Sequence, residues 1–489
     1  MCGILGFIGK KPVAERLISG SDRLQNRGEH STGAATYDGN FFYSHLGLGP
    51  AALVFNDYPY GNLKGNAGIA HTRYATTGGD SPEKLQRNIQ PVYADRPGMF
   101  TCANGDLINM LSQTERLKEM GFSFQTELDS KVLQNLMIHY MHENKLHCAK
   151  EPEDYVNRIF KSLEDLHKDL QGAYSVVTLM ETGLLVFKDP HGIRPLSMAK
   201  RMENGEIMEY AFSSESAVFN YFSDYSEIEE LKPGEALFIE HNTLKMHRRQ
   251  ITPMQEAFCF FEFIYFSRPD TKFKDRVVEN ARKNMGGVLA EEFASMRNRI
   301  DVVVGIPATG LSAAHNFGQI LNIPYENAII KVGNKRSFQE TSDEKRRKAI
   351  DNKFIFIKDF IEGKRLAVID DSNVRGTTAK KIARRLYDLG AKEVHYFFFS
   401  PPIIGSCYYG IDTPDESKLI AVGNSNEEIR RIMQVDSVNY ISHQGLIRGL
   451  GIPKEELCLA CITKKYPTPV DEIYKRLELR KKERGCGIC

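Results

Sequence analysis

Apolar residues in this chain fall into short blocks separated by polar, glycine-broken stretches, and the rhythm of the blocks changes midway. Gly3–Gly9 predicts a buried strand, and the shorter runs Gly68–Ala70 and Met99–Ala103 are of the same kind. Alternating and apolar stretches continue to about Glu240, which predicts a β-rich sandwich. Asp129 opens a helical pattern carried by Val132, Leu133, Leu136 and Met137, and aspartate is a good helix cap. Beyond about Gln255 the pattern becomes strand–helix alternation. Val302–Ile306 predicts a strand, followed by a turn at Pro307–Gly310 and a helix. Leu366–Ile369 predicts a core strand. The helix after it is marked by Ile382, Ala383, Leu386 and Leu389, which recur at helical spacing. Glu393–Phe399 predicts one more strand, ending at Ser400. Such alternation implies a parallel sheet with its ligand loops along one edge.

Composition adds limits. A chain of 489 residues exceeds one ordinary core, so two or three domains are expected. Lys and Arg total 64 against 63 Asp and Glu, so nothing global points to nucleic acid or an anionic membrane as partner. No apolar run approaches the roughly 18 residues of a membrane span. The start Met1-Cys2-Gly3-Ile4 lacks the marks of a signal peptide, so a cytoplasmic location is expected. There, the nine cysteines are expected to be catalytic, ligating or inert rather than disulfide-bonded.

Two stretches carry candidate chemistry. Asp370 and Asp371 stand at the carboxyl end of a strand. Ser372, Arg375, Gly376, Thr377 and Thr378 lead from them into a helix, whose first N–H groups and dipole suit a phosphate. The bland alternative is an acidic pair capping a turn. Cys2 is the second candidate. Removal of Met1, expected before so small a residue, would join a thiol nucleophile and an α-amine in one residue. Arg27, Arg73, Asn104-Gly105 and Asp129 each have ordinary readings alone; Asn104-Gly105 by itself reads as a turn.

Taken together, the first-half motifs resemble the glutaminase domain of class II amidotransferases, an N-terminal nucleophile fold with an αββα sandwich. The matches are Met1-Cys2-Gly3-Ile4, Arg27-Gly28-Glu29, His71-Thr72-Arg73-Tyr74, Asn104-Gly105 followed by Leu107, and Asp129-Ser130. Asp189 through Arg194, Ser213 through Glu215 and Leu231 through Glu235 extend them. The resemblance implies that Cys2 attacks the glutamine side-chain amide, with its own α-amine as base. It implies an oxyanion hole from Asn104 and the Gly105 N–H. Arg73 and Asp129 would hold the glutamine α-carboxylate and ammonium, with Arg27 beside the nucleophile as a further glutamine-site residue. Asn26, Ala103 and Asp106 depart from the usual pattern.

The run Val368–Thr378 resembles the phosphoribosyl-pyrophosphate (PRPP) loop of type I phosphoribosyltransferases. It is closest to the glutamine phosphoribosylpyrophosphate amidotransferase family, where an aliphatic residue usually stands at the position of Asn373. Phe261–Asp270 resembles another segment of that family. The resemblance implies that Asp370, Asp371, Ser372, Arg375, Gly376, Thr377 and Thr378 bind PRPP. Thr309, Asp370 and Asp371 would hold Mg²⁺, and Lys331 and Arg336 would anchor pyrophosphate. Ala308 replaces a usual acid, and the segment Lys331–Phe338 is shortened. The reaction implied is displacement of pyrophosphate at ribose C1 by channelled ammonia, the entry to purine synthesis. Purine nucleotides of the AMP and GMP type would inhibit, and a homo-oligomer, dimer or tetramer, is expected. Rival readings are a divergent paralogue that aminates another phosphorylated sugar and a non-catalytic PRPP or nucleotide sensor.

Cys458 and Cys461 form a C-x-x-C pair that suits zinc, a cluster or redox chemistry. With Cys259 and Cys407 they match the iron–sulfur-containing branch of the same family. Four thiolates suit a 4Fe–4S cluster or a zinc ion, and the resemblance favours the cluster. Cys102 and Cys148 read as inert, and Cys486 and Cys489 as part of a basic tail. The expected organisation is a glutaminase domain over residues 2–245, an α/β type I phosphoribosyltransferase domain with a parallel sheet over 255–455, and a cysteine-bearing extension over 456–489.

Overall fold

The computed structural model describes residues 1–74, 82–332, 353–411, 413 and 415–473. The amino-terminal part is a four-layer αββα sandwich. One antiparallel sheet has seven strands in the order Tyr225–Glu230, Ser197–Glu203, Glu206–Ser213, Gly3–Gly9, Ala67–Arg73, Ser31–Tyr37 and Phe42–Leu48. The other has six, in the order Met246–Gln250, Glu235–Glu240, Gly183–Lys188, Gly172–Met180, Gly98–Leu107 and Val92–Asp95. Ile4, Ile8 and Ile69 of the first sheet pack against Phe100, Val177, Leu184 and Leu237 of the second. The outer face of the first sheet, with Leu5 and Phe7, is covered by the helix Ala14–Arg23. The outer face of the second is covered by the helices Asp129–Glu143 and Pro152–Asp169. Burial on both faces explains why Gly3–Gly9 is apolar throughout rather than alternating.

The carboxyl-terminal part holds a parallel sheet in the order Val302–Gly305, Arg365–Asp370, Glu393–Phe398 and Ser437–Tyr440. Side chains alternate between two cores: Val303, Ala367, Ile369 and Phe397 face one, and Val304, Leu366, Val368 and Phe398 the other. The helices Leu311–Leu321 and Thr377–Asp388 follow the first two strands, as their spacing predicts. The two parts share a core: Ile108, Ala173 and Ile193 pack with Phe258, Phe260 and Ile403. Phe258–Cys259 and Leu457–Cys458 form a short parallel pair at that junction.

One local reading is overturned. Asn104 and Gly105 do not make a turn; the strand Gly98–Leu107 runs straight through them, paired to Ser175 and Tyr174. The neighbouring strand supplies the pairing that dipeptide chemistry ignores. Among the described residues, no helix is long and apolar enough to cross a membrane.

Candidate active site

Cys2 sits at the entry to the central strand Gly3–Gly9, so a fully buried element fixes its backbone. Its N–H donates to Asn104 Oδ1 at 3.1 Å, and its carbonyl accepts from Arg27 Nε at 2.9 Å. The thiol lies 3.8 Å from the Tyr74 carbonyl. Asn104 is buried, and its Nδ2 has no hydrogen-bond partner among the described residues. A donor is therefore held beside the nucleophile with nothing of the protein to receive it. Gly105 has φ +150°, and a Cβ there would stand 1.8 Å from the Ala173 carbonyl oxygen, so only glycine fits.

Arg73 ends the strand Ala67–Arg73 and is buried. Burial pulls its guanidinium pKa down, and Cys2 and Asp129 work against that. Asp129 opens its helix and accepts the Ser130 N–H at 2.8 Å. Burial pushes its carboxyl pKa up, opposed by backbone donors and by Arg73. Arg73 thus feels both Cys2 and Asp129, which places a buried cation and a buried acid on one side of the site. The α-amine of Met1 is buried in the same place. Burial lowers its pKa to about 6, with Arg27 and Arg194 adding to the effect and Cys2 and Glu262 opposing it.

Behind Cys2 lies a buried ion network. Arg27 Nη1 is 2.9 Å from Glu215 Oε1, and Nη2 is 3.0 Å from Glu262 Oε1. All three side chains are fully buried. Glu262 also accepts from Ser267 Oγ at 2.7 Å. Glu215 accepts from the Arg268 N–H at 2.9 Å and Thr271 Oγ1 at 2.7 Å. Asn26 donates to Glu215 Oε1 at 2.8 Å and to the Phe266 carbonyl at 3.0 Å, which gives this departure from the usual pattern a local job. The Arg27 guanidinium is thus committed to two carboxylates and the Cys2 carbonyl. Glu215, Glu262 and Arg194 had been placed in motifs without a role. A buried charge needs a buried partner, and that rule applied to Arg27 would have sought them.

The second cluster forms at the carboxyl end of Arg365–Asp370. Asp370 and Asp371 are both nearly buried. Asp371 accepts from Thr309 Oγ1 at 2.5 Å and Ser372 Oγ at 2.6 Å, and its N–H donates to Asp370 Oδ1 at 2.9 Å. Burial, and then each acid's charge on its neighbour, pushes the Asp370 carboxyl pKa well up. Asp371 also shifts up, chiefly through burial. Gly376, at φ +73°, caps the helix Thr377–Asp388. A Cβ on it would lie 2.3 Å from Ile420 Cδ1. Asn373 turns inward, donating to Tyr440 Oη at 3.0 Å. Arg282, buried, donates to the carbonyls of Phe263 and Ser267, each at 2.9 Å, and feels the Asp371 charge. It stands between this cluster and the network behind Cys2. Lys331 ends the short strand Ile329–Lys331, exposed. Arg336, Cys486 and Cys489 lie outside the described residues.

Cys259, Cys407, Cys458 and Cys461 come together at the junction. Cys259 is paired with Cys458 across the short parallel ladder. Burial, opposed by Arg194 and reinforced by Glu262 and Cys407, pushes the Cys259 thiol up to about 11. Burial and the other three cysteines raise Cys461 well above an ordinary thiol. Among the described residues no three His, Cys, Asp or Glu side chains already stand as a cage for a metal ion. Cys102 is buried in the sandwich, on the strand that carries Asn104 and within reach of the Cys2 charge, and Cys148 is exposed.

Comparison with known proteins agrees with this geometry. Residues 75–220 match the glutamine amidotransferase domain family. The amidophosphoribosyltransferase of Methanothermobacter thermautotrophicus is 36% identical, over 96% of this chain and 95% of that one. The Bacillus subtilis amidophosphoribosyltransferase is 35% identical, over 97% and 95%. A solved structure of the B. subtilis glutamine PRPP amidotransferase, complexed with ADP and GMP, superposes with a TM-score of 0.82 at 34% identity, covering 96% of this chain and 98% of that one. Near-complete coverage at that identity, on one architecture, places this chain in the amidophosphoribosyltransferase family.

Proposed function

We propose that this chain releases ammonia from glutamine at Cys2 and delivers it through an internal channel to PRPP, forming 5-phosphoribosylamine, glutamate and pyrophosphate. The observation that carries the reading is the unpartnered Asn104 Nδ2 beside Cys2, backed by an ion network whose far side, at Glu262 and Ser267, belongs to the PRPP-binding half.

The Cys2 sulfur attacks the glutamine amide carbon. The α-amine exposed by loss of Met1 takes the thiol proton and passes it to the departing ammonia. Asn104 Nδ2 and the Gly105 N–H stabilise the oxyanion. Arg73 pairs with the α-carboxylate and Asp129 with the ammonium, while Arg27 fixes the Cys2 backbone. Water then cleaves the thioester. In the second site, Ser372 and the Arg375–Thr378 turn hold the 5′-phosphate, Asp370 and Asp371 orient the ribose, and Lys331 and Arg336 take pyrophosphate. Ammonia bonds to C1 as the C1–pyrophosphate bond breaks, so positioning and charge do most of the work.

Thr309, Asp370 and Asp371 would hold Mg²⁺. Two adjacent buried carboxylates whose burial outweighs the charges of Arg282 and Lys353 suit a hard divalent ion. When bound, the ion neutralises phosphate oxygens and eases pyrophosphate departure. Cys259, Cys407, Cys458 and Cys461 are a donor set of the kind that holds a thiolate-bound group, with Cys259 and Cys458 buried and Cys407 and Cys461 half-buried at one junction. A 4Fe–4S cluster is the reading the branch resemblance favours, and it would tie the extension to the catalytic core. The B. subtilis relative was solved with ADP and GMP, which supports purine-nucleotide inhibition here. A homo-oligomer in the cytoplasm completes the proposal.

A steady-state assay tests it: glutamate, pyrophosphate and consumed PRPP should appear in equal amounts. Glutamate release without PRPP consumption would favour a sensor, and amination of a different sugar phosphate would favour the paralogue. Iron, sulfide and zinc analysis after anaerobic purification tests the cysteine site, where zinc alone would remove the cluster.

A further inference from the structure

Gln90 is a buried amide that neither reaction site uses. It stands just before the strand Val92–Asp95. That strand pairs with Gly98–Leu107 from Asp95 opposite Gly98 to Val92 opposite Thr101, and no further. Continued in the same register, it would set Gln90 opposite Ala103 and Asn88 opposite Gly105. It does not continue. Pro91 has no N–H to offer. The Gln90 carbonyl lies instead against Gly33 of the other sheet, where a Cβ would come within 2.4 Å of it. Asn88 Oδ1 is turned away, accepting from Thr126 Oγ1 at 2.5 Å and from the Glu127 N–H at 3.1 Å.

The side chain of Gln90 fills the place of the missing ladder. Its Oε1 accepts the Ala103 N–H at 2.9 Å, and its Nε2 lies 3.5 Å from the Ala103 carbonyl, both contacts buried. Along a strand, successive residues turn their N–H groups to opposite edges. The Ala103 N–H therefore faces away from the strand Gly172–Met180, and so does that of Gly105, two residues on. Tyr174, opposite Gly105, agrees with this. Its N–H donates to Asp189 Oδ2 at 3.2 Å and its carbonyl accepts from the Asp189 N–H at 2.8 Å, so both are spent on the side of the strand Gly183–Lys188. Gln90 thus holds the last fixed point on this edge. Among the described residues no strand lies opposite the next N–H, that of Gly105.

We propose that Gln90 is a positioning residue for the oxyanion hole: closing the ladder at Ala103 with a side chain rather than a strand, it fixes the adjoining Asn104 and Gly105 and leaves the Gly105 N–H to the substrate. This rests on the reading that Asn104 and Gly105 receive the oxyanion formed at Cys2. A main-chain partner at position 90 would carry the pairing on toward position 88 and occupy the Gly105 N–H. An apolar side chain there would strand the buried Ala103 N–H and release the strand edge. Oxyanion donors act through preorganised placement, so a small displacement is costly.

The test uses the full chain with Gln90→Met, which fills the same space without hydrogen bonds, checked for folding by circular dichroism and gel filtration. Its kcat for glutamine hydrolysis should fall about tenfold, short of the roughly hundredfold of losing an oxyanion donor outright. KM for glutamine should stay within about twofold. Glutamate γ-semialdehyde bonds through its aldehyde carbon to the Cys2 sulfur and places the carbonyl electron pair on oxygen, so its binding should weaken by the same factor as kcat. Alkylation of Cys2 by iodoacetamide displaces iodide and develops no oxyanion, so it should keep its wild-type rate. Ammonia-dependent activity should also be unchanged. A wild-type kcat overturns the inference. So does a fall in alkylation and ammonia-dependent activity alongside kcat, which would make Gln90 a general scaffold residue. Should the methionine variant not fold, Gln90→Asn, one methylene too short to reach the Ala103 N–H, decides by the same readouts. Wild type that binds the semialdehyde no more tightly than glutamate overturns the oxyanion reading itself.

Discussion

The two reaction sites treat buried carboxylates in opposite ways. Behind Cys2, Glu262 faces Arg27 and Arg194; burial works to raise its pKa, yet those cations, with Ser267, bring it below the ordinary range. At the end of Arg365–Asp370, Asp370 and Asp371 face each other, and both are pushed up. The first site carries its own countercharge and is organised before glutamine arrives. In the second, burial outweighs the charges of Lys353 and Arg282, so the acids suit a ligand that brings cations. On the proposed reading, one chain contains a nucleophile site that carries its own countercharge and a site completed by what it binds.

The largest effect separates the sites altogether. Cys2→Ala should lower glutamine-dependent product formation by roughly 10⁴-fold or more, since the nucleophile acts as a unit with its base and oxyanion hole. Activity with added ammonia should persist, because the PRPP site is built from other elements. Both are read in one pyrophosphate-release assay, and loss of both activities would break the division into two sites.

Asp370→Asn comes next. PRPP turnover should fall by roughly 10²-fold, the scale of losing one preorganised charge partner. Stability should go the other way without metal. An acid whose folded pKa is raised binds its proton more tightly when folded. Its stabilising contribution is therefore full below the unfolded value, near 3.9, and is lost as pH rises through the raised folded value. Glu262 has the opposite sign: its depressed folded pKa stabilises above the unfolded value and is lost as pH falls. Metal-free wild type should lose stability from about pH 4 upward on account of the aspartates. Asp370→Asn should flatten that slope, and Mg²⁺ should stabilise wild type far more than the variant. Thermal melts across pH, with and without Mg²⁺, read both effects. An unchanged slope in the variant would mean the acids are already compensated.

Glu262→Gln tests the nucleophile site. Removing one partner of a fully buried pair leaves Arg27 and Arg194 short of countercharge, at a cost of about 3 kcal/mol. Denaturant unfolding should show that loss. Glutamine-dependent activity should drop more than ammonia-dependent activity, because Arg27 holds the Cys2 carbonyl. Equal losses would make the network a general scaffold rather than part of the glutamine site.

How legible these sites were in the sequence follows the same division. The strand Leu366–Ile369 and its helix were readable because buried faces and helical spacing leave plain periodicities, and both appear as expected. The acidic pair and the small-residue turn are contiguous, so the sequence alone shows them as one candidate cluster, and the structure keeps them together at the end of Arg365–Asp370. The glutamine site is scattered over Cys2, Arg73, Asn104 and Asp129, and only resemblance gathered them. Its supporting residues escaped. Glu215 and Glu262 lie inside recognised segments, but their role was not legible, because what pairs and buries them is the meeting of two domains. The ordinary reading of Asn104-Gly105 as a turn fails for a related reason: local turn chemistry is overruled by pairing with Gly172–Met180.

The smallest effect lies at Asn373, where the resemblance implies an aliphatic residue. Asn373 is buried, and its Nδ2 donates to Tyr440 Oη at 3.0 Å and lies 3.2 Å from Met433 Sδ. The PRPP loop is thereby tied to the strand Ser437–Tyr440 and the helix Asn426–Met433. Asn373→Val restores the usual residue type but leaves the buried Tyr440 hydroxyl without its donor, at a cost of about 1 kcal/mol. The loop would be held less firmly, so KM for PRPP should rise about twofold with kcat unchanged. Tyr440→Phe alone should cost a similar amount, since it strands the asparagine amide. The double variant removes both polar groups and should recover most of the stability, because an apolar pair of like shape is nearly neutral. A double-mutant cycle by urea denaturation measures this. Strictly additive losses would mean that Asn373 and Tyr440 act independently, and that this chain holds its PRPP loop by some other contact.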